Sequence, residues 1–567
     1  MDHPKTTESG ARATHHENVD LPLGYEDPHQ AALEDNPDHI EKITASVILS
    51  ALFLVTPILV QLSERLGGED ISFWIPSGWG AAAAVGFSVA GRVSDIFGRR
   101  VVILFGQFLT IVGGIIAATA NSMDQLIAGE VVLGVSIGIV SVAYAGISEI
   151  VPNKFRGIAL AWTEFNLATW ATPGTLLATT LLDDASWRVS FYLCIGYGAF
   201  SFIGTFLVYF PPSHPRPDGK TKWQEFKELD SIGAFMFISG LAVFLYGLNS
   251  GGNTYPWSSA STLMPLILGV SVFLGRLVID PLFPWYLFKI FREFSMLIVL
   301  VFMAGMVFFA AAALNAQAIL YLHTPDSVKI GIYSLPSGAS QFLGSVLIPV
   351  LVHYIKHVHF QLIFANLMQT LFFGFAALIT PNNLGWLMAC QFLAMLPFGW
   401  ITLLCYTTAS LNVPQRDLGV EIGLIGTFRS VGGAVGSVIL SSIFTQVADK
   451  EVPQRIIRTA TNNFIASEDI PILVQAVKLT IVGVPTAQSM VNLPAQVWGF
   501  YVEATRLGYA HGFRITWIAS IPFGVVATLC AVCVRDPSKY FTNHVEVHLE
   551  ESFKRKDIDA ESKENVE

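Results

Sequence analysis

A chain of 567 residues that is 52% apolar and only 13% charged, with a mean hydropathy of +0.54, lies outside what a soluble surface tolerates, so water is excluded as its main solvent. The formal charge of -10 gathers largely in two polar tails, at residues such as Glu34, Asp35, Glu550, Glu551, Glu561 and Glu564, which argues against nucleic acid as a partner. Cys194, Cys390, Cys405, Cys530 and Cys533 all sit in apolar runs, so neither a disulfide framework nor a metal cage is expected, and no cofactor site is read.

Residues 1–40 are polar, lack the apolar stretch of a cleaved leader, and read as a disordered tail. Beyond them, every apolar run near the length that crosses a hydrocarbon core of about 30 Å, roughly 20 residues at about 1.5 Å each, is read as a helical span. In chain order these are 43–62, 73–90, 101–120, 123–147, 158–182, 189–210 and 232–248. They continue as 263–279, 294–314, 332–352, 360–379, 384–407, 420–444 and 515–534. Fourteen spans place both tails on one side. One set of short loops carries Arg92, Arg99, Arg100, Lys154, Arg156, Arg216, Lys220, Lys222, Lys227, Lys289, Arg292, Lys356 and Arg416, whereas the opposite set holds Arg65, Arg188 and Lys329. The positive-inside rule then makes both termini cytoplasmic. The long outside segment 445–512 is exempt from that rule, and its apolar piece 470–484 is too short to span and reads as amphipathic or re-entrant.

An internal repeat organises the spans. Ile75-Pro76-Ser77-Gly78 at the second is echoed by Leu335-Pro336-Ser337-Gly338 at the tenth, and Val151-Pro152-Asn153-Lys154 before the fifth by Val413-Pro414-Gln415-Arg416 before the thirteenth. The expected architecture is all-α: a cytoplasmic tail (1–40), a six-helix bundle (41–210), a cytoplasmic linker (211–230) and an inserted helix pair (231–292). A second six-helix bundle (293–534) with the outside loop 445–512 and a cytoplasmic tail (535–567) complete it. Parallel halves around a shared central site are the build of carriers that rock about that site.

The loop between the second and third spans reads Gly91-Arg92-Val93-Ser94-Asp95-Ile96-Phe97-Gly98-Arg99-Arg100. Gly91 and Gly98 permit close approach, and Asp95 can accept from a basic partner or a helix N-terminus. The decapeptide resembles the loop signature of the major facilitator superfamily, GxxxDxxGRR. That resemblance implies the major facilitator fold, with Asp95 docking near Gly419 when the cytoplasmic side closes. Glu149 and Arg156 flank Pro152 and are the natural partners for Arg99 and Asp95; the bland alternative is that these charges only orient loops.

Ionisable residues inside a bilayer are costly and mark proton or substrate handling. Glu130 lies in Leu126-Ile127-Ala128-Gly129-Glu130, followed by Gly134 and Gly138, which resembles the family's fourth-span motif with glutamate in place of arginine. It reads as a proton or substrate group, or else as a water-exposed glutamate at the outer edge. Glu164 and Arg429 hold nearly equivalent repeat positions and are either functional or members of structural ion pairs with other helices. Pro173 and Gly174 form a thinned version of the Pro-Gly motif of proton antiporters and mark a helix kink. Asn166, Asn315, Gln317, Gln341, Asn366 and Gln391 are candidate cavity polars, and Trp79, Phe398, Trp400 and Tyr406 candidate aromatic surfaces.

Tyr209-Phe210-Pro211-Pro212, Gly247-Leu248-Asn249, Tyr255-Pro256-Trp257-Ser258 and Pro265-Leu266-Ile267-Leu268-Gly269, with the fourteen spans, look like the fungal trichothecene efflux pump family, a fourteen-span drug:proton antiporter type. The resemblance implies proton-coupled export of a toxin, secondary metabolite or drug across the plasma membrane, a vesicle or vacuole membrane being the alternative. The partners implied are the lipid bilayer, a small-molecule substrate and protons. Iron-siderophore uptake is the runner-up function, and a transporter-like sensor the remote one. Asp218-Gly219-Lys220-Thr221 lacks the first glycine of an ATP-binding loop, since His214 stands there, and His353, His357 and His359 lack an acidic partner, so neither ATP hydrolysis nor another enzyme activity is expected.

Overall fold

The computed structural model describes residues 66, 74–150, 157–164, 174, 176–178, 180–181, 186–210, 231–251, 255–279, 285–348, 355, 357–412, 418–462, 470–483 and 495–538. Among the described residues the chain is helical, and eight helices are long and apolar enough to cross a membrane. The expected span 43–62 and most of 158–182 lie outside the described residues. Phe105, Phe108, Phe200, Phe206, Met264, Ile267, Phe364 and Leu371 are all more than half exposed or nearly so, an apolar girdle that only lipid accommodates.

The first bundle contains α1 (Trp74–Phe97), α2 (Arg99–Ala118), α3 (Met123–Val140), α4 (Ala143–Ile150), helical residues 157–164 and α5 (Arg188–Val208). The run Ala81 to Ala84 favours helix in α1, and Gly98, at φ 95°, stops it with its N–H on the Ser94 carbonyl at 3.0 Å. Ser122 caps α3 by accepting from the Gln125 N–H. The expected span 123–147 is broken at Ser141 and Val142. Ser141 Oγ donates to the Gly138 carbonyl at 2.5 Å, offering the backbone an alternative to the helical ladder beside a weak helix former.

The inserted pair, α6 (Ser231–Ser250) and α7 (Ala260–Ile279), packs chiefly on itself, and touches α1 and α12 (Leu418–Asn462) through α6. The second bundle comprises α8 (Met296–Leu322), α9 (Ser327–Phe342), α10 (Val358–Ala376), α11 (Leu384–Asn412), α12 and α14 (Ala495–Cys533). Its neighbour pattern repeats that of the first: α1–α3, α2–α3 and α2–α5 correspond to α9–α11, α10–α11 and α10–α14.

The span 420–444 reads too short. α12 runs 45 residues and α14 runs 39, about 68 and 58 Å of helix against a core of about 30 Å. Both therefore extend past the hydrocarbon, so much of the segment read as loop 445–512 is helix, with α13 (Ile470–Val482) packed on it. Hydropathy ended the span at charged Asp449, Lys450 and Glu451, yet the helix continues through an i,i+4 bond from Arg455 to Glu451 at 3.2 Å. Phe444 stacks on Phe513 at 4.2 Å and Tyr321 on Tyr509 at 4.5 Å. Lys478 reaches Asp449 at 3.4 Å.

Glycines set the tightest crossings. A Cβ on Gly138 would stand 2.6 Å from the Phe87 nitrogen and 2.7 Å from the Gly86 Cα, so α1 and α3 meet backbone to backbone. Gly138→Val is expected to destabilise the detergent-purified protein by roughly 1–3 kcal/mol, the usual cost of overpacking, seen as a lower melting temperature. An unchanged melting temperature would show that the crossing is not that close.

Candidate functional site

The two bundles meet along α1 and α12. Gly91 lies on the Gly419 backbone, a Cβ on Gly423 would come 2.6 Å from the Phe87 carbonyl, and Gly80 faces Ala434. Thr427 Oγ1 donates to the Ala84 carbonyl at 3.2 Å. Small residues on both helices are what permit this approach.

At one end of the seam stands the 91–100 motif, read as a loop but helical on both sides of Gly98, at the end of α1 and the start of α2. Arg99 is 2% exposed; its Nη1 donates to Asp95 Oδ1 at 2.5 Å and to Ser94 Oγ, which itself donates to the Gly91 carbonyl at 2.7 Å. A Cβ on Gly419 would fall 2.5 Å from Asp95 Oδ1 and 2.8 Å from the Gly91 carbonyl oxygen, which places Asp95 against the start of α12. Arg100 points elsewhere: its Nη2 donates to the Phe206 carbonyl at 2.8 Å, and its guanidinium lies 3.9 Å from the Phe210 ring centroid, tying α2 to the end of α5. Asp95 and Arg99 thus bond each other. The Glu149 side chain and Arg156, offered as their partners from sequence, lie outside the described residues, as does Pro173; Gly174 is described and buried.

At the same end, the exit of α14 is strapped to the π-helical turn Phe291–Ser295 that leads into α8 and to the first residue of α10. Arg292 Nε donates to the Cys533 carbonyl at 3.1 Å, Arg535 pairs with Glu293 at 3.2 Å, and the Val358 N–H donates to Ser538 Oγ at 3.4 Å.

Deeper along the seam lies a second cluster. Phe87 is ten residues from the end of α1 and Arg429 eleven from the start of α12, about 15 Å of helix, half the thickness of a hydrocarbon core. Tyr144 donates to Glu164 Oε1 at 2.5 Å and stacks on Tyr406 with centroids 5.0 Å apart. The Arg429 guanidinium lies 6.0 Å from the Tyr406 ring and 5.7 Å from the Phe87 ring. Glu164 and Arg429 feel each other's charge without an ion pair within 4 Å. Groups from both bundles therefore converge at mid-depth, and the two repeat-related residues do meet, through tyrosines rather than directly.

Glu130 is not the water-exposed outer glutamate that was its bland alternative: it is 0% exposed. Neither carboxylate oxygen has a hydrogen-bond partner among the described residues. Gly129 packs on Ala117 of α2, and the charge of Glu130 reaches Cys194 of α5. Among the described residues, no ionisable group of the second bundle acts on it.

Of the aromatic candidates, Tyr406 joins the cluster. Phe398 stacks on Phe308 at 3.8 Å, and Trp400 turns to α10, donating to Gln361 Oε1 at 3.2 Å. Sequence reasoning passed over Tyr144, Phe87, Ser94 and the fully buried Glu421. For Tyr144 the signal was a phenol between Ser141 and Ser148 in an otherwise apolar stretch. Phe87 carries no signal of its own. Outside the spans, burial and the nearby Arg506 guanidinium push His323 down from its ordinary value.

Residues 21–565 match the family described as "Fungal trichothecene efflux pump (TRI12)". The chain belongs to the fungal trichothecene efflux pump family. It is 25% identical over 534 residues to the MFS-type transporter prx5 of Penicillium rubens, covering 89% of this chain and 94% of that protein. Against the trichothecene efflux pump TRI12 of Fusarium sporotrichioides it is 22% identical over 504 residues, 86% and 83% of the two chains. The efflux pump dotC of Dothistroma septosporum is 23% identical over 528 residues, 90% of this chain and 86% of that one. A member of this family is a multi-pass helical transporter of the major facilitator type and not an enzyme. The siderophore-uptake alternative finds no support among these relatives, two of which are named as efflux pumps.

Proposed function

We propose that this efflux pump family member exports a small toxin or secondary metabolite across the plasma membrane, exchanging it for protons by alternating access. Both termini and the 91–100 motif face the cytoplasm, in keeping with the Lys/Arg asymmetry of the short loops. The observation that carries the reading is the α1–α12 seam. It is latched at one end by Asp95, Arg99 and Gly419 and holds a charged aromatic cluster at mid-depth.

A latch confined to one end suits a carrier whose halves tilt about a central site, because opening requires only the separation of Gly91 from Gly419 and of Asp95 from the start of α12. Glu164 is the proposed proton carrier. It is buried, hydrogen-bonded to Tyr144 and within electrostatic reach of Arg429 on the other bundle, so a change in its charge acts across the seam. Glu130 is acted on by no described ionisable group of the second bundle.

The test is transport in liposomes of purified protein with an imposed pH gradient, using a labelled trichothecene and a panel of uncharged fungal metabolites. Accumulation against the substrate gradient, driven by inward proton flow, is expected. Facilitated diffusion indifferent to pH overturns the coupling, and no movement of any solute overturns the transport reading.

A further inference from the structure

Arg429 presents an unanswered chemical demand. Its guanidinium offers five N–H donors, yet among the described residues none of them meets an acceptor, and its Nε is buried without a partner. Glu164 does not answer it, since one of that residue's oxygens is taken by Tyr144 and no ion pair forms. The flanking groups are ring faces, Phe87 on one bundle and Tyr406 on the other. These attract a cation but accept no strong hydrogen bond. The Tyr406 hydroxyl is likewise buried and without a partner. Two donors from adjacent helices α11 and α12 are thus unsatisfied in one place. Buried donors left without acceptors are costly, and a structural role would have supplied oxygen ligands from the chain itself.

Arg429 also retains some accessible surface at mid-depth while Phe87, Tyr144, Glu164 and Tyr406 around it are buried.

We infer that Arg429 and Tyr406 form the oxygen-recognising half of the transport site, taking an uncharged ligand that presents a carbonyl, ester or ether oxygen and lays its apolar body on Phe87 and the Tyr144–Tyr406 stack. Glu164 and Arg429 carry opposite formal charges, so the pair leaves the site close to neutral and favours an uncharged occupant. A lipophilic organic cation would face the guanidinium with no hydrogen bond to gain. The inference rests on the transport reading above and names the chemistry its substrate must have.

The test compares wild type, Arg429→Met and Arg429→Lys in two measurements on purified protein in nanodiscs. Melting temperature without ligand comes first. Because Arg429 makes no hydrogen bond or ion pair among the described residues, Arg429→Met is expected to leave it within a few degrees of wild type, whereas a large fall, the mark of a lost structural ion pair, overturns the assignment. Binding follows, with a trichothecene and further uncharged, oxygen-bearing terpenoids on one arm and tetraphenylphosphonium on the other. Wild type is expected to bind at least one uncharged probe more tightly than the cation. Arg429→Met is expected to weaken that probe by roughly tenfold or more, the usual worth of a charge-assisted hydrogen bond, without weakening the cation. Arg429→Lys, which keeps the charge but loses the planar fork, should fall between. Tighter binding of tetraphenylphosphonium than of every uncharged probe, or equal losses on both arms, overturns the proposal. Wild-type protein that binds the uncharged probes but moves none of them in liposomes sinks the transport reading while leaving this site standing.

Discussion

Glu164→Gln is expected to abolish gradient-driven accumulation while leaving the fold and ligand binding in place. The amide oxygen of glutamine can accept from the Tyr144 hydroxyl as the Glu164 carboxylate Oε1 does, so the Tyr144–Tyr406 stack retains its anchor. What disappears is the site that can change charge beside Arg429. One proton exchanged per substrate can sustain a concentration ratio of about a hundredfold across two pH units, since each unit is worth a factor of ten. The variant should settle near a ratio of about one while still exchanging labelled for unlabelled substrate, because a carrier that has lost its titrating group moves solute without a thermodynamic lever. The measurement is steady-state accumulation in liposomes with and without an imposed gradient, beside counterflow as the control for an intact path. Glu130→Gln should keep the accumulation, since among the described residues neither oxygen of that carboxylate has a hydrogen-bond partner and no ionisable group of the second bundle acts on it. If Glu130→Gln uncouples and Glu164→Gln does not, the proton moves on α3 and the role given to Glu164 is wrong.

The divide between the two carboxylates also marks how far the sequence could be read. Hydropathy over about twenty residues finds a bilayer span because lipid forces every backbone group into a helix, so the helices around 101–120 and 384–407 were legible, as was the start of the one at 73–90, although that helix runs on to Phe97. The same criterion misjudges helices that leave the lipid. It ended α12 near Phe444, although the helix runs to Asn462, because charged residues such as Asp449 and Lys450 suit water without disfavouring helix. The motif at 91–100 was legible because its glycines and charges carry their own chemistry. Its internal Asp95–Arg99 bond was not singled out, although the i,i+4 spacing permits it. Glu164 and Arg429 were singled out as intramembrane charges, but their meeting depends on how two bundles face each other. No local pattern encodes the rotation that brings Tyr144 onto Tyr406 or Phe87 under Arg429. For Glu130 the sequence left buried and exposed readings open, and its full burial, beside the close packing of Gly129 on Ala117 of α2, decides between them.

Gly91→Leu is expected to cost the protein its latch, not its bundles. A Cβ on Gly91 would fall 2.9 Å from the Gly419 carbonyl carbon and 3.1 Å from the Val420 Cα, so a side chain there has no room while the seam is closed and free space once the halves tilt apart at that end. The added carbons oppose only one of the two conformations, and interference of this kind typically costs about 1–3 kcal/mol, which shifts a two-state balance by roughly five- to more than a hundredfold. Transport needs both states in turn, so turnover should fall roughly tenfold or more while each bundle keeps its own packing. The readout is the reactivity of a Val420→Cys reporter on a background where the native cysteines Cys194, Cys390, Cys405, Cys530 and Cys533 are replaced. Val420 is 3% exposed in the latched seam, so the reporter should be protected in the parent and labelled by a membrane-impermeant maleimide roughly tenfold faster with Gly91→Leu. The reagent should act only from the side on which the 91–100 motif lies. A variant that transports normally and leaves the reporter protected would mean that the Gly91–Gly419 contact does not open during the cycle. Labelling from the opposite side would place the motif outside and reverse the proposed topology.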